Sequence, residues 1–313
     1  MHYPLHNAMS QHYTLWESIW TYRVFEEPNS AYRDFHLQDE FPAIRPLMLE
    51  SEMQWDKADA LTRSYRLLGW VPILASVVYL LAIFGGRRMM RDRKAWDLKA
   101  PLAVWNLLLA VFSVLGTTRL VPHLVYGLLI NHHTYFFCRN AGSSYGHGSE
   151  GLWVNLFICS KLFELVDTAF LVLRKKQVSF LHWFHHATVL LYCWHAGQYQ
   201  MPTGIFFASM NYVVHSIMYF YYFLAAVTKP PRWGKTVTVL QITQMFLGMF
   251  VTAYHYYLLK TVPNCDGSYE NLLAAFAMYT AYMLLFVQFF VGRYAYSSSR
   301  SRSGTPIAKP KYQ

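Results

Sequence analysis

The sequence has few charged residues. Asp, Glu, Lys and Arg make up 14% of its 313 residues, and hydrophobic residues make up 54%. A soluble domain usually carries about 25% charged residues, so this composition argues against one. The chain contains no Asn-x-Ser/Thr acceptor site, and residues 1–66 contain no early apolar segment that would serve as a signal peptide. The net charge is +10, but the basic residues lie in short loops, which argues against nucleic-acid binding.

Long apolar runs occupy most of the chain instead. A membrane-crossing helix needs about 20 predominantly apolar residues, and several runs approach or exceed that length. The sequence therefore predicts an all-α, polytopic membrane protein with seven transmembrane helices and no soluble domain between them. The predicted spans are Leu67–Phe84, Pro101–Thr118 (with an extension to Ile130), Leu152–Leu173, Phe180–Ala196, Thr203–Ala226, Thr236–Leu259 and Asn271–Tyr294.

Loop charges predict the orientation of these spans. After the N-terminal segment, loops rich in Lys and Arg alternate with loops that have few of them. Because basic loops remain in the cytosol, the N-terminus is predicted to be lumenal and the C-terminus cytosolic. Cys138 and Cys265 then fall in non-cytosolic loops, where a disulfide could join them. Two free thiols are the alternative.

Polar residues recur at helical spacing inside four of the spans. Three histidines of one span fall at positions i, i+3 and i+4, and residues at this spacing share one face of a helix. Ionisable side chains within a membrane are costly and usually mark a functional site. A buried Lys–Glu pair and helix-to-helix hydrogen bonds are the structural alternatives. The four sets are Lys161, Glu164, Asp167 and Thr168; His182, His185 and His186; Asn211, His215, Met218, Tyr219 and Tyr222; and Thr238, Gln241 and Gln244.

The predicted orientation places all four sets at one depth, near the cytosolic face. Tyr221 is predicted to point elsewhere. The sequence thus predicts a polar chamber above an apolar tube, which suits an amphiphile with a long acyl tail. The tube would be lined by Phe206, Phe207, Phe246, Phe250, Phe276 and Phe286. Basic loop residues, among them Lys175, Lys176 and Lys235, would surround the mouth and suit phosphates; ordinary positive-inside loops are the alternative. His123, His132, His133, His147, His195 and His255 are expected to be hydrogen-bonded or solvated, without a catalytic role.

Two chemistries fit a histidine cluster of this kind. One is a di-iron site, as in membrane desaturases and hydroxylases, because neutral imidazoles bind iron. The chain offers four histidines at the right depth, fewer than that resemblance would require. The other is metal-free acyl transfer, in which an imidazole attacks a thioester or acts as a general base.

The four sets carry a strong family resemblance. Lys161–Thr168 matches KxxExxDT, His182–His186 matches HxxHH, His215–Tyr222 matches HxxMYxYY, and Thr238–Gln244 matches TxxQxxQ. Together and in this order they resemble the ELO family of very-long-chain fatty acid elongases, the endoplasmic-reticulum 3-ketoacyl-CoA synthases. The resemblance covers residues 55 to the C-terminus.

The resemblance implies a reaction and a set of partners. Acyl-CoA would condense with malonyl-CoA to 3-oxoacyl-CoA, CoA and CO2, through a histidine acyl-enzyme and with no cofactor. The family implies His185 and His215 nearest the chemistry, with His182, His186 and Asp167 orienting them or moving protons. Lys161, Glu164, Asn211, Tyr219, Tyr222, Gln241, Gln244, Lys175, Lys176 and Lys235 are the predicted substrate-binding residues.

The same resemblance implies an architecture and a location. Six of the seven helices would form an inverted barrel around an acyl tunnel, and the Cys138–Cys265 bridge is supported. The implied partners are the ketoacyl-CoA reductase, the dehydratase and the enoyl reductase of the endoplasmic reticulum. Whether the chain also forms a homo-oligomer is left open by the sequence.

Finer features predict the substrate class and the limits of the domain. Phe84–Arg87, Leu107–Gly116 and Leu181–Tyr192 resemble the subfamily that extends saturated and monounsaturated chains. The predicted units are a lumenal segment (1–66), an elongase domain (67–294) and a basic cytosolic tail (295–313) ending in the di-lysine retrieval pattern of Lys309–Gln313. Trp16, Ile19 and Trp20 would fit a short interfacial helix.

Overall fold

The structure is a computed structural model that describes residues 32–295. The predicted interfacial helix at Trp16–Trp20 and the tail motif at Lys309–Gln313 lie outside the described residues. The described chain is helical throughout and contains no strand. Its α-helices are α1 (Leu37–Glu40), α2 (Glu50–Met53), α3 (Ala58–Leu67), α4 (Trp70–Met89), α5 (Lys99–Ile130), α6 (Tyr135–Cys138), α7 (Ala141–Ser144), α8 (Gly148–Glu164), α9 (Val166–Leu173), α10 (Phe180–Gln198), α11 (Gly204–Val227), α12 (Gly234–Thr261) and α13 (Tyr269–Phe290), with a 3-10 helix at Pro42–Leu47 and a π-helical turn at Val291–Ala295.

Four of these helices are long and apolar enough to cross a membrane: α4, α5, α12 and α13, the last continued to Tyr294. The predicted all-α, multi-pass membrane class is therefore confirmed. The second predicted span follows its longer alternative, since α5 continues unbroken to Ile130. Helices α8 to α11, which fall outside this group, carry the buried polar residues Glu164, His186, Asn211 and His215.

Packing between neighbouring helices brings the long elements into one bundle. α5 packs along α11, α11 against α12, α12 against α13, and α13 against α10; α10 and α5 both contact α8. α4 packs on α9 and α10. The approach of α5 to α11 depends on Gly116, because a Cβ there would lie 2.5 Å from the Tyr212 ring. A larger residue at position 116 would therefore push these two helices apart.

The bundle has two ends that differ in what covers them. We call the end that contains Ser179–His186 the histidine end and the opposite end, which contains Cys138 and Cys265, the disulfide end. At the disulfide end these two cysteines are bonded, with Cα atoms 4.3 Å apart, and join the segment after α5 to the segment after α12. Nearby, burial lowers the pKa of the loop residue His133 to about 4.

Residues 32–67 cover the disulfide end and are anchored to it by hydrogen bonds. The backbone N–H of Leu37 donates to Glu150 at 2.9 Å, and the Trp153 indole donates to Glu52 at 2.7 Å. The carbonyl of Tyr65 accepts from the Trp194 indole and the Gln198 amide. The segment that was least informative in the sequence is thus an ordered cover over one end of the bundle.

Buried charges at this end are paired with each other. Arg119 lies 3.0 Å from Glu52, and His123 lies 3.1 Å from Glu150. His123 is 1% exposed within α5, so it is neither a loop residue nor solvated. The prediction for His195 and His255 agrees with their surroundings: His195 is hydrogen-bonded to Asn271 at 2.8 Å, and His255 to the carbonyl of Asp266 at 2.9 Å.

Candidate active site

The start of α10 sets the positions of the three clustered histidines. Ser179 caps the helix, accepting a hydrogen bond at 3.2 Å from the backbone N–H of His182, as N-cap serines do. His182 and His186 follow each other on one face, with ring centroids 4.5 Å apart. The His185 ring is perpendicular to that of His186. The cap therefore fixes all three rings within the first two turns of the helix.

The residues of the KxxExxDT motif lie on both sides of a break in their helix, since α8 ends at Glu164 and α9 begins at Val166. Lys161 Nζ is 2.6 Å from Glu164 Oε1 and donates to Asn211 Oδ1 at 3.1 Å. Because that bond fixes the carbonyl side of the Asn211 amide, its Nδ2 faces the His215 ring, at 3.0 Å from Nε2. The His215 Nε2 then accepts, and its other ring nitrogen carries the proton in the neutral form.

Asp167 has partners of its own, on two different helices. Its Oδ1 accepts from the indole of Trp105 in α5 at 2.6 Å, and its Oδ2 accepts from the hydroxyl of Tyr219 in α11 at 2.9 Å. The carboxyl group therefore joins α9 to both neighbours. These two contacts hold the chamber wall in a defined shape.

A second chain of hydrogen bonds reaches His182. Tyr79 of α4 and Thr168 share a hydrogen bond of 2.8 Å, and Thr168 is 2.9 Å from Nε2 of His182. His185 differs from His182 and His215, because no described residue is hydrogen-bonded to its ring. Its backbone carbonyl accepts from Tyr282 at 3.2 Å, while the ring itself lies on a cavity wall.

This cavity, which we call the histidine cavity, has a volume of about 300 Å³. The structure brings eleven of the predicted catalytic and substrate-binding residues together on its wall. They are Glu164, Asp167, His182, His185, His186, Asn211, His215, Tyr219, Tyr222, Gln241 and Gln244.

Two atoms of this wall stand out because they are buried and lack a hydrogen-bond partner within residues 32–295. These atoms are Oε2 of Glu164 and Nδ1 of His186. Buried polar groups are nearly always hydrogen-bonded, and exceptions cluster where a ligand or a reaction is expected. The wall therefore offers polar groups to an occupant of the cavity.

The four predicted lysines do not line the histidine cavity. Lys161 is 2% exposed and is engaged by Glu164 and Asn211. Lys175 donates to the backbone carbonyls of Arg91 and Arg93, at 2.9 and 3.0 Å. Lys176 is exposed, and Lys235 lies over the Phe290 ring. The ammonium group of Lys175, which was predicted to bind a phosphate, therefore donates to backbone carbonyls instead.

Several residues of the site were not predicted. Tyr221, predicted to point elsewhere, lines the cavity beside Tyr222, because the mouth spans more than one helix face. Arg293, in the π-helical turn, is a cation on the same wall. Trp105 and Tyr79 had no signal in the sequence, because each reaches the motifs from another helix.

The predicted aromatic tube is wrong for three of its six residues. Phe246, Phe250 and Phe276 are 61%, 63% and 47% exposed, so they face outward. Phe286 lines the histidine cavity, and Phe206 and Phe207 pack in the interior. On α12, Thr238, Gln241 and Gln244 mark the inward face, and Phe246 lies about 200° round the helix from Gln244, so its outward orientation follows from that polar face. Helix α13 is apolar on all sides and gives no such signal for Phe276.

The metal alternative was tested on the arrangement of possible ligands. In the described part of the chain, no group of three or more His, Cys, Asp or Glu side chains is arranged to hold a metal ion. Instead, His182 is hydrogen-bonded to Thr168 and His215 to Asn211, and all four histidines line the cavity.

Comparison with known proteins gives one consistent result. Residues 67–302 match the model of the ELO family, described as the GNS1/SUR4 family. Putative fatty acid elongase 3 of Caenorhabditis elegans is 41% identical over 232 residues, which cover 73% of this chain and 72% of that protein. Very long chain fatty acid elongase 6 of Drosophila melanogaster is 40% identical over 240 residues, or 74% and 75% of the two chains. The protein of the same name from Homo sapiens is 38% identical over 223 residues, or 71% and 83%.

Proposed function

This chain belongs to the ELO family, and we propose that it condenses a fatty acyl-CoA with malonyl-CoA to 3-oxoacyl-CoA, CoA and CO2. It is a fatty acid elongase, as its relatives' names indicate. One observation carries the mechanism proposed here: the histidine cavity collects groups from six helices, α8 to α13, and His185 presents a ring on its wall to which no described residue is hydrogen-bonded.

His185 is the residue proposed to carry the acyl group. A ring nitrogen attacks the thioester carbonyl; the new C–N bond forms as the C–S bond breaks, and CoA leaves as a thiolate that takes up a proton. His182 and His215 are less suited to this role, because Thr168 and Asn211 engage their Nε2 atoms. The ring of His186 also has no described hydrogen bond, but His186 is only 7% exposed, whereas His185 is half-buried.

His215 is proposed to stabilise charge. The chain from Lys161 through Asn211 favours a proton on the second nitrogen of His215, which can then donate to an oxyanion or a departing thiolate. Gln241 and Gln244 are further amide donors on the same wall. Asp167, held by Trp105 and Tyr219, is a positioning residue in this scheme.

The second half-reaction uses malonyl-CoA. Loss of CO2 leaves an electron pair on its methylene carbon, which attacks the acyl carbonyl; a C–C bond forms, the C–N bond breaks, and His185 is released. Tyr219 and Tyr222 belong to the same wall as the reacting group. No observation in the structure favours a second reaction for this site.

The membrane arrangement is part of the proposal. Seven helical spans are supported by the seven long helical segments α4, α5, α8–α9, α10, α11, α12 and α13 of the described chain. A closed barrel of six is supported by the packing of α5, α8, α10, α13, α12 and α11, each against the next. A lumenal disulfide end is supported by the Cys138–Cys265 bond, which suits an oxidising compartment such as the endoplasmic reticulum.

The substrate class is proposed from the relatives. Proteins named very long chain fatty acid elongase 6 from Drosophila melanogaster and Homo sapiens are among them. We expect saturated and monounsaturated long-chain acyl-CoAs to be extended, as the sequence features at Phe84–Arg87 and Leu181–Tyr192 indicated.

Purified protein, incubated with acyl-CoA and labelled malonyl-CoA, tests the reaction. Labelled 3-oxoacyl-CoA should form, and its formation should survive a metal chelator. No labelled product, or activity that requires iron, oxygen and a reductant, would contradict the proposal. Peptide mass spectrometry after incubation with acyl-CoA alone should find the acyl group on His185; an adduct on another histidine, or none, would overturn that assignment.

A further inference from the structure

A second cavity lies toward the disulfide end of the bundle. It has a volume of about 70 Å³, and we call it the distal cavity. Three of the helices that build the histidine cavity also line it: α8 through Phe157 and Ile158, α10 through Tyr192 and Cys193, and α11 through Phe207. The shared helices place the two cavities along the same part of the bundle.

The two cavities are close along each of these helices. On α11, Phe207 and Asn211 are four residues apart, which is about 6 Å at 1.5 Å per residue. On α10, His186 and Tyr192 are six residues apart, or about 9 Å. The linings of the two cavities are therefore separated by one to two helical turns along the bundle.

The chemistry of the distal cavity suits hydrocarbon. None of its lining residues is charged. Its polar side chains are satisfied by protein: the Tyr65 hydroxyl donates to Asn155 at 2.8 Å, and the Tyr145 hydroxyl to the carbonyl of Met201 at 2.7 Å. An apolar cavity with no open polar partner does not hold water well and favours an apolar occupant.

The floor of the distal cavity comes from outside the family match. Ala58, Thr62 and Tyr65 of α3 close it, whereas the residues that match the family begin at position 67. Tyr65 is held there by its hydroxyl bond to Asn155 and by the bonds that its carbonyl accepts from Trp194 and Gln198. The floor is thus ordered, and it belongs to the covering segment at residues 32–67.

We propose that the distal cavity receives the methyl end of the acyl chain, and that Ala58, Thr62 and Tyr65 limit the chain length that this protein extends. The inference rests on the proposed function, because it takes the acyl group to be attached in the histidine cavity. It assigns a specificity-determining role to the covering segment.

Substitution of the floor tests the proposal. Ala58→Phe fills the distal cavity from α3, and Ala60→Phe places the same side chain on an exposed position of the same helix as the control. We expect Ala58→Phe to lower kcat/KM for the longest acyl-CoA that the wild type extends by roughly tenfold or more, relative to a shorter acyl-CoA. Ala60→Phe should leave that ratio unchanged. An equal loss on both substrates in a folded Ala58→Phe protein would overturn the proposal.

A second measurement remains decisive if Ala58→Phe does not fold. Wild-type protein is incubated with a long-chain acyl-CoA that carries a photoreactive diazirine at its methyl end, then irradiated and digested. Cross-links should fall on residues that line the distal cavity, which lie within 58–65, 141–158 and 192–207; cross-links on outward faces such as that of Phe250 would overturn the proposal. A wild type that condenses normally but cross-links elsewhere refutes this inference alone, whereas a wild type without condensation refutes the proposed function.

Discussion

The two ends of the bundle contain similar side chains used in different ways. At the disulfide end, Arg119 faces Glu52 and His123 faces Glu150, and the pairs fasten the covering segment to the bundle. At the histidine end, Glu164 and His186 each direct a buried atom without a partner toward the histidine cavity. Both sets are buried, so burial alone does not distinguish a structural charge from a reacting one. Atoms without a hydrogen-bond partner do not distinguish them either, since Nε of Arg119, both ring nitrogens of His123 and Oε2 of Glu150 also lack one among the described residues. What distinguishes the histidine end is that its residues line the cavity where the four motif sets meet.

The largest expected difference between the ends comes from one helix. His185→Ala removes the proposed nucleophile from α10, whereas His195→Ala removes a histidine near the other end of the same helix, where it bonds to Asn271. We expect His185→Ala to lower kcat by roughly 1,000-fold or more, since the nucleophile acts in both half-reactions. His195→Ala should keep kcat within a small factor and cost about 1 kcal/mol of stability.

Product formation and thermal unfolding in detergent, measured on both variants, separate the two effects. A His185→Ala enzyme with near-normal kcat would remove the basis for assigning catalysis to this end. A His195→Ala enzyme as inactive as His185→Ala would show that the division between the ends is wrong.

The second prediction concerns Lys161, whose chemistry resembles that of the disulfide end although it lies beside the cavity. Lys161→Met leaves Glu164 buried without its cation, which costs about 3–5 kcal/mol for pairs of this kind. It also removes the donor that orients Asn211 and, through it, His215. The double variant Lys161→Met/Glu164→Gln should recover much of the lost stability, while its kcat stays about 100-fold low.

Thermal unfolding and the steady-state rate are measured on Lys161→Met, on Glu164→Gln and on the double variant, which together make a double-mutant cycle. Rescue of both quantities in the double variant would mean that Lys161 has only a structural role. Loss of stability with an unchanged rate per folded molecule would lead to the same conclusion.

Depth along the helices was predictable from the sequence, and this is why the convergence of His182, Asp167, His215 and Gln241 was anticipated. The direction of each helix alternates, so the distance of a residue from its loop fixes its level in the bundle. Rotation about the helix axis is specified only where polar residues mark one face. The outward orientation of Phe246 could be read from the polar face of α12, whereas Phe276 lies on α13, which is apolar all round and gives no signal.

Contacts between distant parts of the chain were a further limit. Trp105 reaches Asp167 across a sequence separation of 62 residues, and Tyr65 reaches Asn155 across 90. Neither pair belongs to a motif, so only the packing of the helices brings them together. The covering segment at residues 32–67 had no apolar run to mark it, and its order comes from hydrogen bonds to Glu150, Trp153 and Gln198.

The third prediction moves to the disulfide end, where a charge pair should affect stability alone. Arg119→Met leaves Glu52 buried with the Trp153 indole and the Ser149 hydroxyl as its remaining donors from the bundle, and we expect a loss of about 3 kcal/mol. The kcat per folded molecule should remain close to wild type, because neither residue lines the histidine cavity. Arg119→Met/Glu52→Gln should recover part of the stability.

Thermal unfolding and activity normalised to folded protein provide the check. A large fall in kcat at unchanged stability would place this end in the catalytic machinery.

The smallest effect is expected at Lys175, where the sequence predicted phosphate binding and the structure shows a different use of the ammonium group. Its Nζ donates to the carbonyls of Arg91 and Arg93 and so fastens the loop after α4 to the end of α9. Because the side chain is exposed, Lys175→Ala should cost about 1 kcal/mol or less, and KM for acyl-CoA should change by less than about twofold. The neighbouring Lys176→Ala is the matched control, since Lys176 is also exposed and no described residue accepts from its ammonium group. If KM rose severalfold for Lys175→Ala but not for Lys176→Ala, Lys175 would have to exchange the two carbonyls for substrate phosphates on binding. The basic loops would then belong to the active site rather than to the orientation of the protein in the membrane.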